Sequence, residues 1–271
     1  MTRIAVIGGG RIGEALIAGL FESGRGVEDL VVAEPVAARA QELADRFGIR
    51  VTDVADAAEN ADLIVVAVKP GAVDSVLTDL STVDLDNTRE RILVSLAAGI
   101  PTTKLEAKFP AGFPVVRVMS NTPMLVGEGM SALAAGRYAK AQHIELVRGV
   151  LEAVGKVAVV PEAQMDAVTA VAGSGPAYFF LIVEAMVDGA VGLGLSRAFA
   201  TELVVQTLVG SAAMLDLTDA SATDLRAAVT SPAGTAAAAL RELERAGVRS
   251  AFAEALHAAR IRSAQQGGPA D

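Results

Sequence analysis

The sequence predicts an α/β protein with an N-terminal doubly wound, mostly parallel sheet and an all-α C-terminal domain. From the start to about residue 160, continuous apolar strands alternate with helical segments, which is typical of a parallel sheet covered on both faces. After Pro161 only helical periodicity is found, up to about residue 263. We therefore expect two domains, residues 1–161 and 162–271.

Five apolar runs have the length and composition of buried strands. They are Ile4–Ile7, Leu30–Ala33, Leu63–Val68, Ile92–Leu96 and Val115–Val118, with helical spacing between them at segments such as Ala37–Phe47 and Gly71–Leu80. Two weaker strands, around Ser131–Ala134 and Val157–Val160, bracket a helix near residues 141–154. These two strands are expected to extend the sheet at its far edge.

The C-terminal part reads as a series of long apolar helices. They are predicted at Ala163–Ala172, Pro176–Leu193, Arg197–Leu217, Ala222–Val229 and Thr235–Ala264. Large exposed apolar helical surface usually marks an interface. We therefore expect an intertwined homodimer through these helices, with a monomeric bundle packed on the first domain as the alternative.

The composition excludes several classes of function. The chain of 271 residues has no Cys, so disulfides, thiolate metal sites and thiol nucleophiles are ruled out. A net charge of −9 without a Lys/Arg run argues against a nucleic-acid partner. A basic stretch followed by an apolar stretch is not found before the first strand, so we expect no signal peptide. The apolar run Ala177–Val187, interrupted by Glu184 and followed by Asp188, looks too short and too acidic to span a membrane. A cytoplasmic protein is expected.

A glycine-rich turn follows the first strand directly and opens a helix. It reads Ile7-Gly8-Gly9-Gly10-Arg11-Ile12-Gly13. In Rossmann-type folds the first glycine allows a sharp turn, the second lets the backbone approach a pyrophosphate, and the third lets the helix pack closely. The free amides of the first helical turn then face the anion. Glu34, 21 residues past Gly13, is expected to bind the ribose of a dinucleotide.

Three further loops follow predicted strands, where ligands bind in a doubly wound sheet. They contain Val68-Lys69-Pro70, Ser95-Leu96-Ala97-Ala98-Gly99 and Met119-Ser120-Asn121-Thr122-Pro123. Lys69 would place an ammonium beside a nicotinamide or its ribose, unless it is a solvated loop lysine. Ala97 and Ala98 would let the cofactor lie against the backbone. Asn121 offers a neutral donor and acceptor, with an Asx-turn as the alternative.

Two loops of the helical part, residues 172–176 and 230–235, interrupt helices with small and hydroxylated residues. A helix N-terminus of this kind suits a carboxylate, whereas a kink and an ordinary N-cap are the alternatives. The two histidines, His143 and His257, lie far from these loops, so surface or packing roles are expected and no metal site is indicated. With Lys69 as the one obvious titratable candidate, a protonated C=N substrate is favoured, because it needs positioning more than acid–base catalysis.

These features together resemble the pyrroline-5-carboxylate reductase family along essentially the whole chain. The resemblance is carried by Ile7–Gly10, Ala67–Pro70, Arg117–Pro123, Asp166–Ala170, Gly173–Tyr178 and Val229–Pro232. It implies hydride transfer from NADPH or NADH to C5 of 1-pyrroline-5-carboxylate, which gives L-proline in the final step of proline biosynthesis. It also implies a homodimer through the helical domain, assembled further into a ring of dimers, up to a decamer of dimers.

The resemblance places the substrate carboxylate on Ser231 and on the backbone amides of Gly234, Thr235 and Ala236, with the partner's helices shaping the pocket. The family typically reads Ser-Pro-Gly-Gly, then a small residue or Thr, then Thr, so Ala233 and Ala236 depart from it. The hydroxyl missing at Ala236 is expected to cost about 0.5–1.5 kcal/mol, although Thr235 offers a substitute. Alanine at 233 is tolerable unless the backbone needs a positive φ.

The choice of cofactor and of substrate stays open from the sequence. Glu34 leans towards NADH because it would repel a 2′-phosphate, and Arg39 in the following helix could partly offset this. One rival function is a related imine or β-hydroxyacid reductase with another substrate. The other is a non-catalytic nucleotide-binding protein whose helical half serves only for assembly.

Overall fold

The structure is a computed structural model that describes residues 2–83 and 90–266. The chain divides into two compact units, described separately below. The first comprises the residues up to 174 together with those from 259 onward, and the second comprises residues 175–258. The domain boundary expected after residue 161 stays a prediction.

The first unit is built on an eight-stranded sheet. Its strands are β1 (Ile4–Ile7), β2 (Leu30–Ala33), β3 (Arg50–Thr52), β4 (Leu63–Val66), β5 (Ile92–Ser95), β6 (Val115–Met119), β7 (Gly129–Ala135) and β8 (Gly155–Val159). The order is β3-β2-β1-β4-β5-β6-β7-β8, and every pairing is parallel except β6 with β7. The predicted doubly wound, mostly parallel sheet is therefore confirmed, and its order reverses between β1 and β4.

The sheet is buried on both faces because successive strand residues point to opposite sides. In β1, Ile4 and Val6 join one apolar cluster, whereas Ala5 and Ile7 join a second cluster on the other face. The two weaker predicted strands are present as β7 and β8 at one edge. At the other edge lies β3, which was not predicted. That strand has three residues, pairs only with β2 and exposes Arg50, so it lacks a continuous apolar run.

Helices of the first unit cover the sheet. They are α1 (Arg11–Glu22), α2 (Ala37–Phe47), α3 (Val54–Glu59), α4 (Val73–Thr82), α5 (Thr102–Glu106), α6 (Ala141–Leu151) and α7 (Met165–Val168). A π-helical turn at Thr169–Gly173 continues α7. Of the loop expected at residues 172–176, residues 172 and 173 belong to this turn and residues 175 and 176 already belong to the next helix. The Ser174 amide donates to the Thr169 carbonyl oxygen (2.9 Å). The expected set of freed amides is therefore reduced there.

The described residues of the second unit form helices joined by short turns, without a strand among them. It contains α8 (Gly175–Gly192), α9 (Arg197–Leu217), α10 (Ala222–Ala228), α11 (Thr235–Arg245) and the start of α12 (Val248–Gln266), whose residues from 259 belong to the first unit. The single helix predicted over Thr235–Ala264 is wrong. It is divided at Gly247, whose φ of +74° is left-handed backbone that ends a helix.

The helices of the second unit expose much of their apolar surface. In α8 the successive residues Phe179, Phe180 and Leu181 are 56%, 67% and 65% exposed. Because consecutive helical residues project about 100° apart, this helix is apolar around most of its circumference. A helix of that kind needs another apolar environment to cover it.

By length and composition alone, residues 162–192 and 197–217 could each cross a membrane, although a core helix of a soluble protein passes the same test. The segment at residues 162–192 extends beyond the apolar run at residues 177–187 on both sides. Shortness of that run is therefore no argument against a membrane span.

Candidate functional site

The glycine turn after β1 has backbone neighbours too close for larger residues at two positions, Gly8 and Gly13, and a Cβ atom on Gly9 would overlap the side-chain Cδ1 of Leu43. Gly8 has a φ of +107°, and its amide donates to the carbonyl oxygen of Ala33 (2.8 Å). A Cβ atom on Gly8 would lie 2.8 Å from Cγ1 of Val68, and one on Gly13 would overlap the Gly8 carbonyl oxygen. The chain can therefore turn from β1 into α1 only with glycine at both positions.

Gly10 differs because a Cβ atom there would meet nothing within 4 Å. It is the N-cap of α1 and is extended (φ −66°, ψ −175°), and no side chain caps the helix. The exposed start of α1, at Gly10 and Arg11, is thus uncapped by any side chain, and the amides of its first turn lack an intrahelical acceptor. This arrangement fits the pyrophosphate of a dinucleotide in both charge and room.

Glu34, at the end of β2, is held by two backbone amides. Its Oε2 accepts from the Gly9 amide (2.8 Å) and its Oε1 accepts from the Val36 amide (2.9 Å). The carboxylate is therefore fixed beside the glycine turn, where the sequence places it.

Arg39 also reaches the glycine turn, but its charge is already engaged. Its Nε donates to the Gly9 carbonyl oxygen (2.8 Å), and the guanidinium pairs with Glu14 and with Glu42, the latter at 2.6 Å. Hydrogen bonds from Glu42 and Glu14 raise the pKa of Arg39 above its ordinary value. This cation is thus neutralised by the protein's own carboxylates.

A cavity of about 690 Å³ opens at the carboxyl ends of β1, β2 and β3, a volume within the range of small-molecule and cofactor pockets. It brings together four predicted cofactor residues, Ile7, Gly8, Glu34 and Val68. The lining residues that were not predicted are Ala33, Pro35, Thr52, Asp53, Val54, Ala55, Ala72, Ser75, Val76, Asp79 and Thr82. Its ionisable lining residues are three acids, with no Lys or Arg among those described.

The missed lining has a physical cause. Residues 52–55 enter the cavity because β3 ends there, and β3 was not predicted. Asp53 caps α3 by accepting from the Asp56 amide (2.9 Å), so an Asp before a helical run was the available signal.

The loops after β4 and β5 continue alongside the strand ends. The Ala67 amide donates to the Ile7 carbonyl oxygen (2.8 Å), and the Leu96 amide donates to that of Val66 (2.9 Å). Lys69 is exposed at the start of a short 3-10 turn, Pro70–Ala72. Of the small residues after β5, Ala97 is buried in the core, whereas Ala98 is half-buried. These loops lie on the β4 side of the point where the strand order reverses.

The amide of Asn121 bridges three elements. Its Nδ2 donates to the Ala172 carbonyl oxygen in the π-helical turn (3.0 Å), and its Oδ1 accepts from the Met130 amide in β7 (2.9 Å). It gives no side-chain cap bond to the turn that it precedes, so it is not an Asx-turn. Asn121 therefore ties the end of β6 to the segment at residues 169–173.

The predicted carboxylate loop lies in the second unit, before α11. The Gly234 amide donates to the Ser231 carbonyl oxygen (3.0 Å), and Gly234 is the N-cap of α11 without a side-chain cap bond. The amides of the first helical turn, including those of Thr235 and Ala236, consequently lack an intrahelical acceptor. A Cβ atom on Gly234 would lie 2.5 Å from the Ser231 hydroxyl oxygen, which explains the glycine.

Ala233 meets the condition under which alanine is unfavourable. Its φ is +59°, the left-handed region that costs an L-residue about 1–2 kcal/mol. The substitution of the family's glycine is therefore not neutral for this backbone.

Two family models match the chain. The family described as pyrroline-5-carboxylate reductase dimerisation matches residues 162–266, and NADP oxidoreductase coenzyme F420-dependent matches residues 3–99. The pyrroline-5-carboxylate reductase of Mycobacterium leprae is 53% identical and is aligned over 98% of this chain and 97% of its own. The reductase of Corynebacterium melassecola is 47% identical over 98% and 99% of the two chains.

Solved structures agree with this similarity. A pyrroline-5-carboxylate reductase from Coxiella burnetii has a TM-score of 0.93 at 34% identity, covering 98% of this chain and 99% of its own. The Plasmodium falciparum pyrroline carboxylate reductase with NADP bound has a TM-score of 0.87 at 29% identity, covering 98% of each chain. By sequence and by fold over nearly its whole length, this chain belongs to the pyrroline-5-carboxylate reductase family.

Proposed function

We propose that this protein reduces 1-pyrroline-5-carboxylate to L-proline with a reduced nicotinamide cofactor, the final step of proline biosynthesis. The observation that carries the proposal is the glycine turn of the first unit. It leaves the N-terminus of α1 open beside a 690 Å³ cavity, in a chain 53% identical to a reductase of that name.

The bound nicotinamide supplies a hydride, which the C5 atom of the protonated C=N bond accepts as the π electrons pass to nitrogen and give the secondary amine. Because the ring nitrogen arrives protonated, the protein's main tasks are to orient the ring and to neutralise its carboxylate. The exposed Lys69 after β4 is positioned to place an ammonium near the nicotinamide half of the site. Ser231 and the amides of Gly234, Thr235 and Ala236 are the groups that we assign to the substrate carboxylate.

The assignment of Asn121 changes in the light of its contacts. Both ends of its amide hold backbone groups, at Ala172 and Met130. We therefore assign it a positioning role for the turn at residues 169–173 rather than direct contact with the reacting atoms.

Cofactor selection is proposed to favour NADH. Glu34, Asp53 and Asp79 line the cavity without a basic residue, and Arg39 is occupied by Glu14 and Glu42. A 2′-phosphate would therefore meet negative charge. Steady-state assays with each cofactor test this preference, and a much lower KM for NADPH would contradict it.

The apolar second unit supports a homodimer as the functional form, since the dimerisation family model covers residues 162–266. A ring of such dimers, up to a decamer of dimers, is the larger assembly that we propose for testing. Covering α8 and α9 in this way removes the need for a membrane partner, and a cytoplasmic location is proposed accordingly.

The decisive experiment follows NADH and NADPH oxidation on addition of 1-pyrroline-5-carboxylate, with L-proline identified as the product. A panel of other cyclic imines and of β-hydroxyacids should be assayed in parallel. Ala236 lacks the hydroxyl of the family's Thr, so another substrate is the alternative to test. Faster turnover of a panel member would replace the proposed substrate. Cofactor binding without turnover of any of them would support a non-catalytic nucleotide-binding protein.

A further inference from the structure

The end of α12 returns to the first unit and contacts two segments there. The Ser263 hydroxyl, only 3% exposed, donates to Oδ1 of Asp166 in α7 (2.7 Å). One turn later, Gln266 covers Gly99, where a Cβ atom would lie 2.8 Å from the Gln266 Cβ. Gly99 has a φ of +76° and is buried. The last turn of α12 is thus packed directly on the loop that follows β5.

The same loop is held from its other end. Its continuation, at the start of α5, donates the Thr102 amide to Oε1 of Glu162 (3.3 Å), and this carboxylate also accepts from Nη1 of Arg117 (2.7 Å). Arg117 is 5% exposed, so its guanidinium is withdrawn from water, whereas the Glu162 side chain is 31% exposed. Residues 96–102 are therefore held between Glu162 on one side and Gln266 on the other.

The position of the loop after β5 in the sheet indicates which part of the cofactor the contact with Gln266 affects. In a doubly wound sheet the half that carries the glycine turn and the acid after β2 takes the adenosine part of a dinucleotide, and the second half takes the other nucleotide. The loop after β5 lies in that second half, next to β4. If the proposed function holds, this loop is the part of the site that contacts the nicotinamide.

We propose that the final turn of α12, through Ser263 and Gln266, is a positioning element for the nicotinamide half of the cofactor site. Ser263 anchors the helix on Asp166, and Gln266 then fixes the backbone at Gly99. Neither residue lines the cavity beside β1, β2 and β3. Loss of the contacts made by this final turn should therefore weaken binding of the nicotinamide part of the cofactor and leave binding of the adenosine part unchanged.

Two ligands separate the two halves of the site. NADH carries the nicotinamide, whereas ADP-ribose lacks it. Dissociation constants for both should be measured by calorimetry on the full-length protein and on Ser263→Ala. A chain that ends at Ala264 should be compared with one that ends at Gln266, because both lack residues 267–271 and only the first lacks the contact with Gly99.

Ser250→Ala is the matched control on the same helix, since its exposed hydroxyl bonds only the local Gly247 carbonyl oxygen (2.9 Å). Ser263→Ala and the chain ending at Ala264 should each raise the dissociation constant for NADH by about 2- to 13-fold, the effect of one lost contact of hydrogen-bond strength. The constant for ADP-ribose should stay within about twofold, and Ser250→Ala should change neither.

An equal weakening of NADH and ADP-ribose would mean a general loss of structure and would overturn the proposal, as would unchanged NADH binding in both altered chains. The binding ratio does not depend on which imine is reduced. If the wild-type protein binds NADH but does not turn over 1-pyrroline-5-carboxylate, the proposed function fails while this inference is still decided by the two ligands.

Discussion

Glycines of the first turn differ in what a methyl group would meet, and this difference separates folding from binding. A Cβ atom on Gly13 would overlap the Gly8 carbonyl oxygen, whereas one on Gly10 would enter open space. Gly13→Ala should lower the free energy of unfolding by about 3 kcal/mol through overpacking. Gly10→Ala should cost less than about 1 kcal/mol but weaken NADH binding, because the methyl group occupies the space beside the α1 amides.

Urea unfolding and NADH titration of both variants check this pair. The interpretation of the turn would be wrong if Gly10→Ala bound NADH as tightly as the wild type, or if Gly13→Ala were fully stable.

Glu34 is the residue to which we assign cofactor choice. Glu34→Gln keeps the length of the side chain but removes the charge that opposes a 2′-phosphate. The ratio of KM for NADPH to KM for NADH should fall by about 5-fold, the effect of roughly 1 kcal/mol of repulsion between partly solvated charges. Glu152→Gln, at an exposed acid that does not line the cavity, is the control for a change of net charge. If Glu34→Gln left the ratio of the two KM values unchanged, residues other than Glu34 would determine the choice between NADH and NADPH.

Ala236 removes a hydroxyl from the first turn of α11. Ala236→Thr should raise kcat/KM for 1-pyrroline-5-carboxylate by about 2- to 13-fold, the value of one neutral hydrogen bond. Ala238→Thr is the control, since it lies about 200° around the same helix. No gain, or a loss, at position 236 in steady-state assays would show that the loop holds its substrate in another way.

Among the elements, α6 depends on an unusual cap. His143 is 3% exposed, and its Nδ1 accepts from the Lys140 amide (3.0 Å) at the start of the helix. The ring proton is consequently on Nε2, which faces Oε1 of Glu90 at 2.8 Å. Hydrogen bonds from His143 and then from Lys140 lower the pKa of Glu90 below its ordinary value of 4.5.

A lowered carboxyl pKa in the folded state stabilises the protein above the unfolded value, and this contribution is lost as the pH falls through the folded value. The wild-type melting temperature should therefore fall more steeply below about pH 4.5 than that of Glu90→Gln. Thermal melts across this range measure the difference, with the exposed Glu128→Gln as control. If the melting temperatures of wild type and Glu90→Gln fell in parallel with pH, Glu90 would not contribute to the pH dependence of stability.

How far the sequence predicts each element depends on what stabilises it. Strands such as Leu30–Ala33 are buried on both faces, so their composition alone identifies them. The edge strand at Arg50–Thr52 is held by pairing with one neighbour, which composition does not reveal. Gly247 ends a helix through its left-handed backbone, whereas Gly189 lies within α8. The residue type alone therefore does not predict where a helix ends.

The site divides in the same way. Gly8, Gly13 and Glu34 could be predicted because their spacing along the chain reflects one local turn and the strand beside it. The three-way bridge of Asn121 could not, because it depends on Ala172, 51 residues away. The acid Asp79 was missed for a similar reason, since its place beside the cavity follows from the packing of α4 rather than from any motif.

For the whole molecule, the apolar surface of α8 is the feature that most needs a partner. Leu181→Glu places a charge where the side chain is 65% exposed in one chain, so it should be tolerated in a monomer and disfavoured in an apolar interface. Light scattering should show a dimer or larger assembly for the wild type and a shift to monomer for this variant. Leu146→Glu on α6, with a partly exposed leucine of the first unit, should not shift the assembly. A wild-type monomer would contradict the dimer.

The helix α12 begins in one unit and ends in the other, so the sheet-bearing unit is assembled from two separate stretches of sequence. Its last portion, with Ser263 and Gln266, is translated only after residues 175–258. During synthesis the nucleotide-binding half therefore cannot be completed when its strands emerge, and must wait for the entire helical insert to be translated. A gene fragment that stops at residue 174 would encode a half-site lacking its own closing turn.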